Sequence, residues 1–379
     1  MKEIKKNYGL NLLKIVSMIM ILFMHFLGKS TLLDRVELYS INFYISWFLE
    51  CLFVVAVNCY VLITGFFSVN KTFNFKRILK LWKNTYLYSI IIGLILLVFG
   101  ICKFSLSNAF YVLFPIISKA YWFITIYIVL VLFSPFLNTI VCHISQNQYR
   151  NLIVISILIF SIIPTFTTTE HMVDINGGTG LIWFSVLYLI GGYMSKYCNL
   201  KNVKSPMKKY IFYSLVLYFI KLSMTLICTK YGFDLNQSNK WFLYNVIFVL
   251  FSSINLFIFF ERLDVKNLKI QKFIDYITPC VISIYIIHEH PLLSKVLYTD
   301  ILHLNLIINE FYAIPLLFVL AIFLFFICII IDKVFQKFIL LLGKTKFLNL
   351  IKEKIFILLS FFYNLFKKIQ LKMIGEVEK

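Results

Sequence analysis

Residues 7–29 read NYGLNLLKIVSMIMILFMHFLGK. From position 10 to 28 this is one apolar run, long enough to cross a bilayer as a helix, for which about 20 residues are needed. Lys14 and His25 interrupt it. They are eleven positions apart, and eleven steps of about 100° return a helix to within about 20° of its starting face. Both side chains therefore point the same way, about 16 Å apart along the axis. Working outward, nine further runs of similar character follow, at 43–68, 84–102, 121–142, 150–166, 180–196, 210–229, 241–260, 277–297 and 311–332. The pattern predicts an all-α, polytopic membrane bundle of about ten transmembrane helices over 1–334. A basic amphipathic tail over 335–379 is expected to lie on the membrane surface.

Composition agrees. Of the 379 residues 61% are hydrophobic and 14% charged, with a mean hydropathy of +0.87. A soluble domain is nearer half apolar and a quarter charged, which excludes a soluble enzyme, a disordered chain and a disulfide scaffold. The eight cysteines stand singly, with no metal-ligand spacing, and read as packing residues. No metal site is expected.

The net charge of +20 is a question of sidedness. Of the 37 Lys and Arg, 28 fall on the side of the N-terminus, 6 on the other, and 3 (Lys14, Lys221, Lys295) within spans. That split predicts both termini in the cytoplasm and assigns the charge to topology and anionic lipid, not to nucleic acid. Arg77, Lys80 and Lys83 recur every three residues. They form a helical stripe at the cytoplasmic mouth that suits an anionic, phosphate-bearing substrate.

Ionisable groups inside a membrane are costly and mark function by default. Here they are Lys14, His25, Glu50, Lys221, His288, Glu289, His290 and Lys295. A fixed cation and a titratable base on one track of the first span suit a donor with an anionic head. Glu50, at a similar depth in the second span, is expected to orient His25 as the third member of a base arrangement does. His288, Glu289 and His290 precede Pro291, so they sit at a helix break, where irregular backbone lines a cavity or is covered by protein. Lys221 has no evident partner.

Four segments carry a family signature. Lys14 and His25 enclose ten residues. Val57-Asn-Cys-Tyr-Val-Leu-Ile-Thr-Gly65 follows, then Tyr121-Trp-Phe-Ile with Leu132-Phe-Ser-Pro135-Phe-Leu-Asn138, then Ile284-Tyr-Ile-Ile-His288. In this order they resemble the acyltransferase 3 family of bacterial integral membrane acyltransferases. The sequence departs from the pattern at Asn11, where Asp is usual, and at Lys14, where Arg is commoner. A lysine offers a point charge, not a planar fork.

The resemblance implies a protein of the bacterial cytoplasmic membrane that moves an acyl group, usually acetyl, from cytoplasmic acetyl-CoA to a hydroxyl of a cell-envelope polysaccharide. Acyl-CoA would be a co-substrate, with no tightly bound cofactor. The partners would be that donor, a surface or lipid-linked glycan and membrane lipid. On this basis His25, Glu50 and His288 are candidate catalytic residues, and Lys14, Arg77 and Lys80 would bind the donor. Tyr121, Trp122 and Glu289 would face the acceptor. The alternative is a glycan flippase or polymerase, or a transporter. A polymerase is expected to carry a long basic outer loop and a transporter paired internal repeats, and neither is evident.

Overall fold

A computed structural model describes residues 6–342 apart from 70, 72 and 168–175. Among the described residues the chain is entirely helical. Ten long helices carry the fold: α1 (Tyr8–Lys29), α2 (Ile41–Ser68, broken at Val54–Val55), α3 (Phe75–Val98), α4 (Trp122–His143), α5 (Gln146–Phe166), α6 (Leu181–Tyr197), α7 (Pro206–Tyr231), α8 (Ile247–Glu261), α9 (Leu268–His288) and α10 (Ala313–Leu342). A 3₁₀ segment, Leu235–Phe242, leads into α8. Nine of these stretches are long and apolar enough to cross a membrane. The sixth predicted span, α6, is a helix of only 17 residues. The protein is a multi-pass membrane bundle.

Helix ends differ from the hydropathy reading where charge and backbone disagree. α3 begins at Phe75 because Asn74 caps it, its side chain accepting from Lys76 N at 3.0 Å. Lys76, Arg77, Lys80 and Lys83 are thereby helical, since long basic side chains extend to the interface while the backbone stays regular. α9 likewise starts early, capped by Asn267. It stops at His288 because Pro291 cannot continue the hydrogen-bond ladder. α10 runs past the expected tail start at 335 to Leu342. The rest of the predicted tail lies outside the described residues.

Close crossings fix the arrangement. α2 and α6 approach so tightly that a Cβ on Gly65 would stand 2.1 Å from the Tyr188 carbonyl oxygen, and one on Gly191 2.3 Å from that of Leu62. Small residues at a membrane interface allow this contact. One apolar cluster gathers around α2, α6 and α8, and a second around α3, α9 and α10. α1 runs between them. Leu10, Leu13 and Ile21 pack into the first, and Ile15, Leu22 and Phe26 into the second.

Candidate active site

A cavity of about 410 Å³ opens along α1 between the two clusters. Lys14, Met18, Ile21 and His25 all line it, as expected of positions on one face of a helix. α2 contributes Thr64 and Phe67, α3 Arg77 and Leu81, α4 Trp122, Phe123 and Tyr127, and α9 Val281 and Tyr285. Tyr244, ahead of α8, lines it as well.

The end at Lys14 is basic. Lys14, Lys71 and Arg77 all line it. Lys14 Nζ donates to Asn11 Oδ1 at 3.1 Å, and Arg77 Nη2 to the Tyr127 hydroxyl at 2.6 Å. The Lys14 and Lys71 ammoniums stand 5.9 and 5.5 Å from the centre of the Phe67 ring. The Tyr60 hydroxyl donates to the Lys14 carbonyl, and Thr64 Oγ1 lies 3.2 Å from the Tyr127 hydroxyl. Among the described residues none of the three cations pairs with a carboxylate. Cations gathered without counter-charge at one end of an apolar-walled cavity attract an anion.

The end at His25 is a hydrogen-bonded relay. His288 Nδ1 lies 2.6 Å from the Ile284 carbonyl. A carbonyl only accepts, so His288 Nδ1 carries a hydrogen, and its Nε2, in the neutral ring, is a lone pair. That lone pair faces His25 Nδ1 at 3.0 Å. His25 Nδ1 therefore donates, to His288 Nε2 and to Glu289 Oε1 at 3.1 Å. The remaining nitrogen of His25, Nε2, is left with a lone pair to meet a substrate. The same Glu289 oxygen accepts from the Lys29 ammonium. Lys29 stands four residues after His25, on the same helical face.

His25, His288 and Glu289 also have the donor chemistry of a metal site, their ligating atoms lying within 4.8 Å of one another. The Lys29 ammonium competes for it. It pairs with Glu289 Oε1, and a divalent cation beside it would be repelled by the ammonium at close range. The relay satisfies the same atoms by hydrogen bonds alone.

A family model described as an acyltransferase domain matches residues 7–332. The chain belongs to the acyltransferase 3 family. No curated protein and no solved structure gives a match.

This membrane acyltransferase places the residues singled out in its sequence unevenly. Lys14, Arg77, His25 and Trp122 share the cavity, and His288 and Glu289 support it from behind His25. The carboxylate beside His25 is Glu289, not Glu50. Glu50 is buried in α2, with its Oε2 unpartnered. Depth along a span fixes height but not which groups meet, and among the described residues Glu50 makes no hydrogen bond or ion pair with His25. Glu289, expected on the acceptor side, pairs with His25 and Lys29. Lys80 is exposed and does not line the cavity, so of the basic stripe only Arg77 reaches it. Tyr121 is fully buried beside Tyr285 and does not line the cavity either.

Lys29, Tyr127 and Tyr244 join the site without a motif to mark them, whereas Lys71 opens the basic cluster 71–83 that the sequence places at the cytoplasmic mouth. The i, i+4 relation of Lys29 to His25 was a usable signal. Tyr244, stacked on Trp122 at 5.9 Å and 23°, had none. Lys221 of the acyltransferase holds Ser238 and Asn239 at 2.6 and 2.7 Å and sits 3.6 Å over the Trp47 ring, outside the cavity.

Proposed function

We propose that this protein transfers an acyl group, acetyl in the first instance, from acyl-CoA to a hydroxyl of a cell-envelope polysaccharide. The observation that carries this reading is one cavity shared by three cations, unpaired with carboxylates among the described residues, at one end and a supported histidine at the other. The basic end would face the cytoplasm of a bacterium and hold the phosphates of the donor through Lys14, Lys71 and Arg77. The interval of about 16 Å between Lys14 and His25 is on the scale of an extended pantetheine arm. The thioester would thus arrive beside His25. Trp122 and Tyr244, both on the cavity wall, offer aromatic surface to a sugar.

A sugar hydroxyl is a weak nucleophile until a base takes its proton. His25 Nε2 accepts that proton as the oxygen bonds to the thioester carbon. The carbon–sulfur bond then breaks, and the proton moves from His25 to the leaving sulfur. The products are an O-acyl ester and free CoA thiol. Glu289 steadies the imidazolium, and His288 fixes the ring tautomer. Acyl-CoA is a co-substrate in this scheme, and no other cofactor takes part in it.

The test uses membranes containing the full chain, given acetyl-CoA and surface glycan. Acetyl-CoA consumption, thiol release and new O-acetyl signals in the glycan NMR spectrum are expected, all absent in His25→Ala. Acetylation retained in that variant at normal protein level would sink the assignment of His25. Glycan movement without thiol release would point to a flippase.

A further inference from the structure

Acyl transfer leaves one developing charge without a partner. As the hydroxyl adds to the thioester, the carbonyl oxygen becomes an oxyanion, and stabilising that charge is usually the largest catalytic term. His25 acts on the proton, and the three cations lie at the far end of the cavity. We propose that the Tyr285 hydroxyl, backed by the N-terminal end of α4, donates a hydrogen bond to that oxygen. This rests on the acyl-transfer reading above.

Tyr285 is only 6% exposed, yet it lines the cavity. Among the described residues no side chain hydrogen-bonds its hydroxyl, which lies beside the backbone of Phe123. With the Phe123 backbone beside its oxygen, the hydroxyl keeps its own hydrogen to donate, and a ligand oxygen in the cavity would accept it. Its ring stands 6.0 Å from that of His288 and 6.0 Å from that of Phe123. It therefore stands between the histidine relay and the start of α4. Tyr285 and His288 are three residues apart in α9 and share a face.

The helix end adds a second donor set. Trp122, Phe123 and Ile124 open α4, and their N–H groups have no partner within the helix. Tyr121 provides no side-chain cap. All three residues line the cavity. α4 is 22 residues long, and its peptide dipoles leave a partial positive charge at this end. A Phe123 N–H directed at the tyrosine oxygen would strengthen the phenol as a donor. Tyr285 thus meets the start of α4 at one corner of the cavity, its ring 6.1 Å from that of Tyr121 and 6.0 Å from that of Phe123.

The step balances. The acceptor oxygen bonds to the carbonyl carbon, and its proton goes to His25 Nε2. The carbonyl π electrons move onto the oxygen held by Tyr285. When they return, the carbon–sulfur bond breaks and sulfur takes the proton from His25. Tyr285 keeps its own proton throughout.

Tyr285→Phe removes the hydroxyl and keeps the ring. With the purified full chain in lipid nanodiscs, kcat should fall about 100-fold. KM for acetyl-CoA should stay within about twofold, as should the Kd for an S-alkyl CoA thioether, which has no carbonyl. Wild-type activity that depends on His25, together with a Tyr285→Phe kcat within about threefold, overturns the inference and leaves acyl transfer standing. A matched loss of thioether binding also overturns it, because Tyr285 would then hold the donor in its ground state. A wild-type chain that consumes no acyl-CoA overturns both. If Tyr285→Phe is destabilised, kcat is read per folded molecule on the monodisperse fraction of the variant in nanodiscs, and a value within about threefold of wild type there overturns the inference.

Discussion

Among the buried polar clusters of the bundle, the one around His25 and the one around Lys221 have their hydrogen bonds arranged to opposite ends. Lys221 is closed on every side, by Ser238 Oγ, Asn239 Oδ1 and the face of Trp47. Its three donors and its charge are all answered by the protein, and it holds the 3₁₀ segment 235–242 against α7. His25 is answered on one side only. His288 and Glu289 take its Nδ1 hydrogen, and its other nitrogen is left for the cavity. Both clusters carry the desolvation cost of polar groups in a membrane. What separates a reactive group from a structural one is a valence left unfilled at a cavity wall.

Substitutions that act on one cluster and spare the other sharpen this contrast. The largest effect is expected for His25→Ala, where loss of a general base should lower the transfer rate by about 10²–10⁴-fold with little change in donor KM. An equal effect on KM and kcat in acetyl-CoA assays would place His25 in binding instead. Glu289→Gln should come next. It leaves Lys29 without its counter-charge and weakens the hold on His25, at a cost of about 1–3 kcal/mol in activation free energy, or roughly 10–100-fold in kcat. A kcat within twofold of wild type would show that His288 alone orients the ring.

Lys14→Met acts at the other end of the cavity. A charged hydrogen bond to a phosphate is worth about 1.5–3 kcal/mol, so the KM for acyl-CoA should rise roughly tenfold or more, with kcat nearly unchanged. A kcat defect at saturating donor would contradict the division between the two ends. Lys221→Met should have the smallest catalytic effect. Leaving Ser238 and Asn239 without their partner is expected to cost about 1–3 kcal/mol of stability, read as a melting temperature lower by a few degrees. Activity per folded molecule should stay within about twofold. A catalytic loss without a stability loss would erase the distinction between the clusters.

Much of this was legible in the sequence because hydropathy and helical periodicity are one-dimensional signals. The apolar runs gave the bundle, and the spacing of Lys14 and His25 gave a shared face. Glu50 and Glu289 show where such signals stop. Both are carboxylates at comparable depth, and only packing decides which one turns toward His25. The break before Pro291 hinted at a cluster of function, but not that Glu289 would be the one to pair with His25. Tyr244 lies outside any regular pattern, on the short stretch between a 3₁₀ segment and α8, so nothing local announced it. The start of α3 was misplaced for a related reason: a hydropathy window ends at the first lysines, whereas a capped helix does not.

The stripe of Lys14, Met18, Ile21 and His25 has a consequence for which changes α1 can bear. Substitution along its other faces alters packing by degrees. An insertion or deletion of one residue between Lys14 and His25 would turn every later side chain by about 100° and slide it by about 1.5 Å. His25 would then leave the cavity while Lys14 stayed. On the proposed acyl-transfer reading, the count of ten intervening residues thus acts as a gauge cut into the backbone, matching the reach of the donor to the place of the base, and no compensating side chain can restore it.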